Sequence, residues 1–300
     1  MKRLSLAALF VLGTMQAAAQ MMPMTPSYQG LWWNAPAGSE SGWGVNLTHQ
    51  GNILFATWFT YDADGKGMWL VMPKGDLQPA PMNPYGYGYG EMEEPPTYTG
   101  ALYRTTGPAF DSASFNSAAV AASAVGDATF RFTSEDSGSF SYNVNGVAQT
   151  KQIVRQVYAM MPVCDFSGSG GAAPNFQDLW WRSPAVSESG WGVNLTHQGD
   201  ILFATWFTYE AGGRGLWLVM PAGMKTANNT YSGALYRTTG PAFNATPWNG
   251  AQVTATAVGT ATFTFGDANN GTFTAVVEGA TQSKSITRQV YSAPATTCRP

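Results

Sequence analysis

The chain has 300 residues, of which only 11% are charged, with a formal net charge of −3. That leaves no basic face for nucleic acid. Apolar residues make up 44%, with 11 Trp, 13 Tyr and 16 Phe, which excludes a disordered chain and fits a large core in two domains of ordinary size.

Residues 1–19 read as a secretory signal peptide. Lys2 and Arg3 precede an apolar run, LSLAALFVLG, and Ala17 and Ala19 stand at −3 and −1 of a cleavage site before Gln20. The run is shorter than the roughly 20 residues of a spanning helix, and no later stretch reaches that length. The expectation is an exported protein, periplasmic or extracellular, with no transmembrane segment.

The rest of the chain is a repeat. Residues 39–61, SESGWGVNLTHQGNILFATWFTY, return as residues 187–209 with a single difference, Asn52 against Asp200. Residues 100–110, GALYRTTGPAF, return unchanged as 233–243. Two domains are expected, over 28–158 and 178–291. The first carries an insertion at about 76–97; residues 159–177 form a linker and 292–300 a tail. Units of this length are whole domains, and the sister repeat is the natural packing neighbour for each.

Within each copy the period is that of strands. Leu31, Trp32 and Trp33 open the first unit. Trp43, Val45, Leu47 and His49 then alternate with Gly44, Asn46 and Thr48, and Gln50-Gly51-Asn52 makes a turn. On the next strand Leu54, Ala56, Trp58 and Thr60 share one face, and Phe55, Thr57, Phe59 and Tyr61 share the other. Further strands are expected over 68–72, 98–105, 128–133, 139–144 and 149–158, with counterparts in copy two. The fold class is therefore all-β: two tandem antiparallel domains of about eight strands each, closing as up-and-down barrels, with a β-sandwich as the alternative. Strands apolar on both faces suit a barrel that fills its interior and presses its outside on its sister.

Cys164 and Cys298 each follow the last strand of a repeat, and an even count in an exported chain suggests that they pair. Free thiols, or a bond to another chain, are the alternatives.

Trp32, Trp33, Trp43, Trp58 and Trp69 recur as Trp180, Trp181, Trp191, Trp206 and Trp217. Indole faces bind sugar C–H surfaces and flat apolar ligands. Trp43 and Trp191 sit between glycines that would bare their rings. His49 and His197 lie six residues on, at the same parity. With Trp58, Trp206 and the strand arginines Arg104 and Arg237, they form the expected ligand-binding set. The partner is a carbohydrate, an envelope polymer or a small apolar molecule. Gln50 and His49 are expected at an exposed turn, where core packing gives no reason for their identity between copies.

No Ser, Cys or Asp stands in a nucleophile motif, so no catalytic residue is assigned; a hydrolase using His49 with Glu40, and His197 with Glu188, is the second reading. A structural or surface-assembly protein is the third. Asp62-Ala63-Asp64-Gly65 has the outline of a calcium loop, but Glu210-Ala211-Gly212-Gly213 loses a ligand, so no metal is assigned. No cofactor motif is present.

The pattern WW…SGWGxNxxHQG…FATWFTY…LYRTTGPAF…RQVY spans nearly all of the repeat region. It resembles a tandem Trp-rich repeat of exported proteobacterial proteins of unknown activity. The resemblance implies an exported, β-rich, repeated architecture and carries over no catalytic residues. Size and strand count are similar to avidin-like and lipocalin-like barrels, a likeness of fold that does not give function.

Overall fold

A computed structural model describes residues 27–79, 94–166 and 174–300. The residues read as a signal peptide, most of the insertion and much of the stretch read as a linker fall outside the described residues. Strands β1 (Gly30–Asn34), β2 (Gly44–Gln50), β3 (Ile53–Tyr61), β4 (Gly67–Leu77), β5 (Thr97–Thr106), β6 (Ala121–Phe132), β7 (Ser137–Val144) and β8 (Val147–Arg155) form the first unit. Each pairs antiparallel with the next, and β1 pairs with β8, so the sheet is a closed barrel. A short β9 (Val163–Asp165) follows. Strands β10 (Asp178–Arg182), β11 (Gly192–Gln198), β12 (Ile201–Tyr209), β13 (Gly215–Ala227), β14 (Thr230–Thr239), β15 (Thr254–Phe265), β16 (Asn270–Val277) and β17 (Ala280–Arg288) close a second barrel in the same order. Closure pairs every edge, so neither unit is left with an open strand to manage. The chain ends in β18 (Thr297–Arg299), which pairs with β9. The sandwich alternative is not adopted.

Alternation explains the two faces of each barrel. Trp58 stands opposite Val45 on β2 and Leu70 on β4, and Ala56 stands opposite Leu47 and Met72. These residues point inward and meet the far wall, where Trp58 packs on Phe140 and Tyr142 and Phe140 stacks on Phe130. The interior is a filled aromatic core. β6 begins earlier than its hydrophobic pattern indicates: residues 121–127 are mostly small or polar and mostly exposed, yet they pair with β5.

The opposite face of β2–β4 meets the sister barrel. Trp69 packs on Phe207 and Tyr209, and Trp217 packs on Phe59 and Tyr61. Trp69 Nε1 donates to Thr208 O at 3.1 Å and Trp217 Nε1 to Thr60 O at 2.9 Å. Gly215 and Gly67 admit these indoles: a Cβ on either would lie 3.0 Å from the opposing Nε1. Asn46 Nδ2 reaches Thr205 Oγ1 and Asn194 Nδ2 reaches Thr57 Oγ1. The contacts repeat in both directions, so the barrels are related by a pseudo-two-fold. Some contacts break the symmetry: Arg214 pairs with Asp64 at 2.7 Å, and Trp248 Nε1 donates to Ser41 O at 3.1 Å. The loop with the outline of a calcium site thus carries an inter-barrel ion pair.

Each repeat's tail crosses to the other barrel. Tyr158 Oη donates to Thr196 O at 2.8 Å, and Tyr291 Oη to Thr48 Oγ1 at 3.2 Å. The two crossed tails then meet in the β9–β18 ladder, where Cys164 faces Cys298 and is bonded to it. β9 falls within the stretch read as a linker, and β18 within the stretch read as a tail.

Candidate functional site

The residues expected to bind ligand do not converge. Trp43 and Trp191 point into their barrels and are 4% and 6% exposed. Their indole Nε1 atoms donate to Glu40 and Glu188, each at 3.0 Å. Lys151 and Lys284 lie over the rings. The flanking glycines do not bare these rings. The space beside Gly42 is filled by Val253 and that beside Gly190 by Val120, in each case from the sister repeat. His49 and His197 share the inward face with the indoles, as parity indicates. Six residues of strand nevertheless separate them by about 20 Å, at opposite ends of the barrel.

At that end the imidazoles anchor a plug. Tyr28 N donates to His49 Nδ1 at 3.3 Å, and Phe176 N to His197 Nδ1 at 3.1 Å. Tyr28 stacks on Phe132 at 3.7 Å and Phe176 on Phe265 at 3.8 Å. Arg155 and Arg288, the cross-strand partners of Trp32 and Trp180, lie over those indoles and bond the plug carbonyls. Burial lowers both histidines to about 4, so both are neutral at pH 7. His49 Nε2 also meets Tyr98 Oη at 3.0 Å. Glu40, with Trp43 and Lys151, belongs to the other end, so the pairing of His49 with Glu40 does not form.

Trp58 and Trp206 lie in the cores at 2% exposure. Arg104 is a rim residue paired with Asp62, and Arg237 is paired with Glu210 at 3.5 Å. Gln50 and His49 are not exposed. They are 1% and 0% accessible because the sister repeat's tail covers the β2–β3 hairpin. Among the described residues no three His, Cys, Asp or Glu side chains come together as a metal would require.

The chain does form an apolar cavity of about 370 Å³ between the barrels. Its first wall is the outer face of β3 and β4, with Phe55, Thr57, Trp69 and Val71, extended by Tyr103 from β5. Its second wall comes from the sister barrel: Leu179 and Trp181 of β10, Trp191 and Gly192 at the start of β11, and Phe207 of β12. Alternation puts the strand residues outside, because Thr57 and Val71 stand opposite each other one step out of phase with the inward set; Trp191, whose indole points into its barrel, borders the cavity at the barrel rim. Trp181 Nε1 is buried and finds no hydrogen-bond partner among the described residues. The site is thus an aromatic cleft with a free donor in one wall, the usual composition of a small-ligand site at a domain boundary. Its polar lining side chains are Thr57, Tyr103, Thr105, Ser189 and Gln289.

Sequence reading singled out Trp69, Trp181 and Trp191 as part of the Trp set, and it separated the two faces of β3. It also set the outside of each barrel against its sister, as the structure has it, but it did not locate the hollow left between those faces. Comparison with protein-family models, with curated proteins and with solved structures gives no match. Fold and cleft together define a tandem β-barrel protein with an inter-barrel cavity.

Proposed function

We propose that this chain is an exported, non-catalytic binding protein that takes a small apolar ligand in the cleft between its two barrels. The observation that carries this reading is the cavity itself: about 370 Å³, walled by aromatic side chains from both repeats, with a buried indole N–H left unpaired. An unpaired buried donor costs free energy, and an acceptor on a ligand would remove that cost. A cavity of this size falls in the range of sites that bury a small molecule. The Cys164–Cys298 bond fits an oxidising compartment, in keeping with the leader-like residues 1–19.

Calorimetric titration tests the reading, with 2-naphthol, 1-octanol and cellobiose as probes. At least one of the two apolar probes is expected to saturate, and Ala122→Trp, placed on the cavity rim, should abolish that binding. Saturable binding of cellobiose alone, or apolar binding unaffected by Ala122→Trp, would overturn it.

A further inference from the structure

Every residue lining the inter-barrel cavity has an identical counterpart in the other repeat, so the pseudo-two-fold generates two grooves of the same composition. Their states differ. In the open groove, a Cβ on Gly192 would meet only Trp180 O at 3.2 Å and Leu179 Cδ1 at 3.4 Å. In the sister groove, the same point on Gly44 lies 2.6 Å from Phe59 Cζ. The Phe59 ring therefore lies over the Gly44 backbone, tilted at 51° to Trp217 with centroids 5.0 Å apart. Phe207, its counterpart, leaves Gly192 uncovered and packs on Trp69 at 5.6 Å instead.

The sister groove thus displays what its identical partner is shaped to receive. We propose that the open groove binds a small aromatic molecule whose ring lies over Gly192 against Trp69, and that Phe59 fills the sister groove as a built-in counterpart of that ligand. The chain then binds one ligand, not two. This rests on the reading of the cavity as a ligand site, and narrows it.

A glycine at this position removes the side chain that would hold a flat ring off the backbone. A tilted ring pair at about 5 Å gains the quadrupole term that an alkyl chain lacks. Benzene fills a cavity of about 150 Å³, so the larger volume here admits a fused bicycle with a substituent. An acceptor on that substituent would pair with Trp181 Nε1.

The stoichiometry of 2-naphthol binding, read by calorimetry, tests the proposal, with 1-octanol as the aliphatic comparison. The unaltered chain is expected to bind one naphthol, more than tenfold tighter than octanol. Phe59→Ala should bind two, and Phe207→Ala should still bind one. Phe59→Leu, which keeps bulk and folding, should also bind one, because its branched chain still blocks the ring. Circular dichroism of each variant confirms that the barrels persist. If Phe59→Ala fails to fold, soaking crystals of the unaltered chain in 2-naphthol decides the matter, with one ring expected on Gly192. Two sites in the unaltered chain, one site in folded Phe59→Ala, or a ring elsewhere would overturn the proposal. Octanol binding without naphthol would overturn it and leave the apolar cavity reading intact; binding of neither probe would end both.

Discussion

Gln50, in the first barrel, is bonded to the backbone of Tyr291, in the tail of the second repeat. Its Oε1 accepts from Tyr291 N at 2.9 Å and from Ser292 N at 3.0 Å, while its Nε2 donates to Gln289 O at 2.9 Å. Gln198 does the same for the first repeat's tail, through Tyr158, Ala159 and Gln156. One amide therefore satisfies three backbone groups of a tail segment that has left its own barrel. The identity of the two HQG hairpins follows: each is a receptor for the other repeat's tail.

Truncating that amide should loosen the embrace. Gln50→Ala leaves the Tyr291 and Ser292 amides without their acceptor, at about 1–3 kcal/mol for each buried group. A fall in unfolding free energy of about 2–3 kcal/mol is expected in urea, and a larger one with Gln198→Ala added. A change below about 0.5 kcal/mol would mean that water replaces the amide at no cost.

The disulfide joins the two crossed tails, across a sequence separation of 134. Cross-linking over so long a loop contributes about 2–5 kcal/mol through the unfolded chain. Cys164→Ser with Cys298→Ser is expected to lower stability by that order and to expose the tails to proteolysis before the barrels. Equal resistance of both forms would show that the tails dock without the bond.

Acid should destabilise the fold through its histidines. Burial lowers His49 and His197 to about 4, against 6.5 for the free side chain. The unfolded chain therefore takes up protons first as pH falls. Stability from this source is fully present above about pH 6.5 and is lost progressively toward pH 4, by about 3 kcal/mol for each histidine. His49 is also surrounded by Tyr28, Tyr98 and Phe166, none of them a cation-stabilising carboxylate. Replacing both histidines with Gln should flatten stability between pH 6.5 and 4 in denaturant titrations. An unchanged slope would assign the acid sensitivity to other groups.

The barrels were legible in the sequence because alternation at Val45, Leu47, Ala56 and Trp58 fixes which side chains face inward, and turn residues separate the strands. Parity also placed Trp43 and His49 on one face. It could not say that this face is a sealed interior or that the two residues close opposite ends of it, because period is blind to distance along the barrel. Nor could it show that Val253 and Val120 from the sister repeat fill the space beside Gly42 and Gly190. The glycines beside Trp43 read as openings, and they are contact points. The cleft was hidden for the same reason. Phe55, Trp69, Trp181 and Phe207 carry an outward apolar face that strand pattern reveals, but the docking angle of two barrels decides whether that face is sealed or left hollow.

Under the proposed function, ligand binds between the barrels and not inside them. The most direct measurement is a crystal structure of the unaltered chain with 2-naphthol. Ring density is expected over Gly192, between Trp69, Trp181 and Phe207, with both barrel interiors unchanged. Density inside a barrel beside Trp43 or Trp191, or in a surface groove away from the cleft, would contradict it.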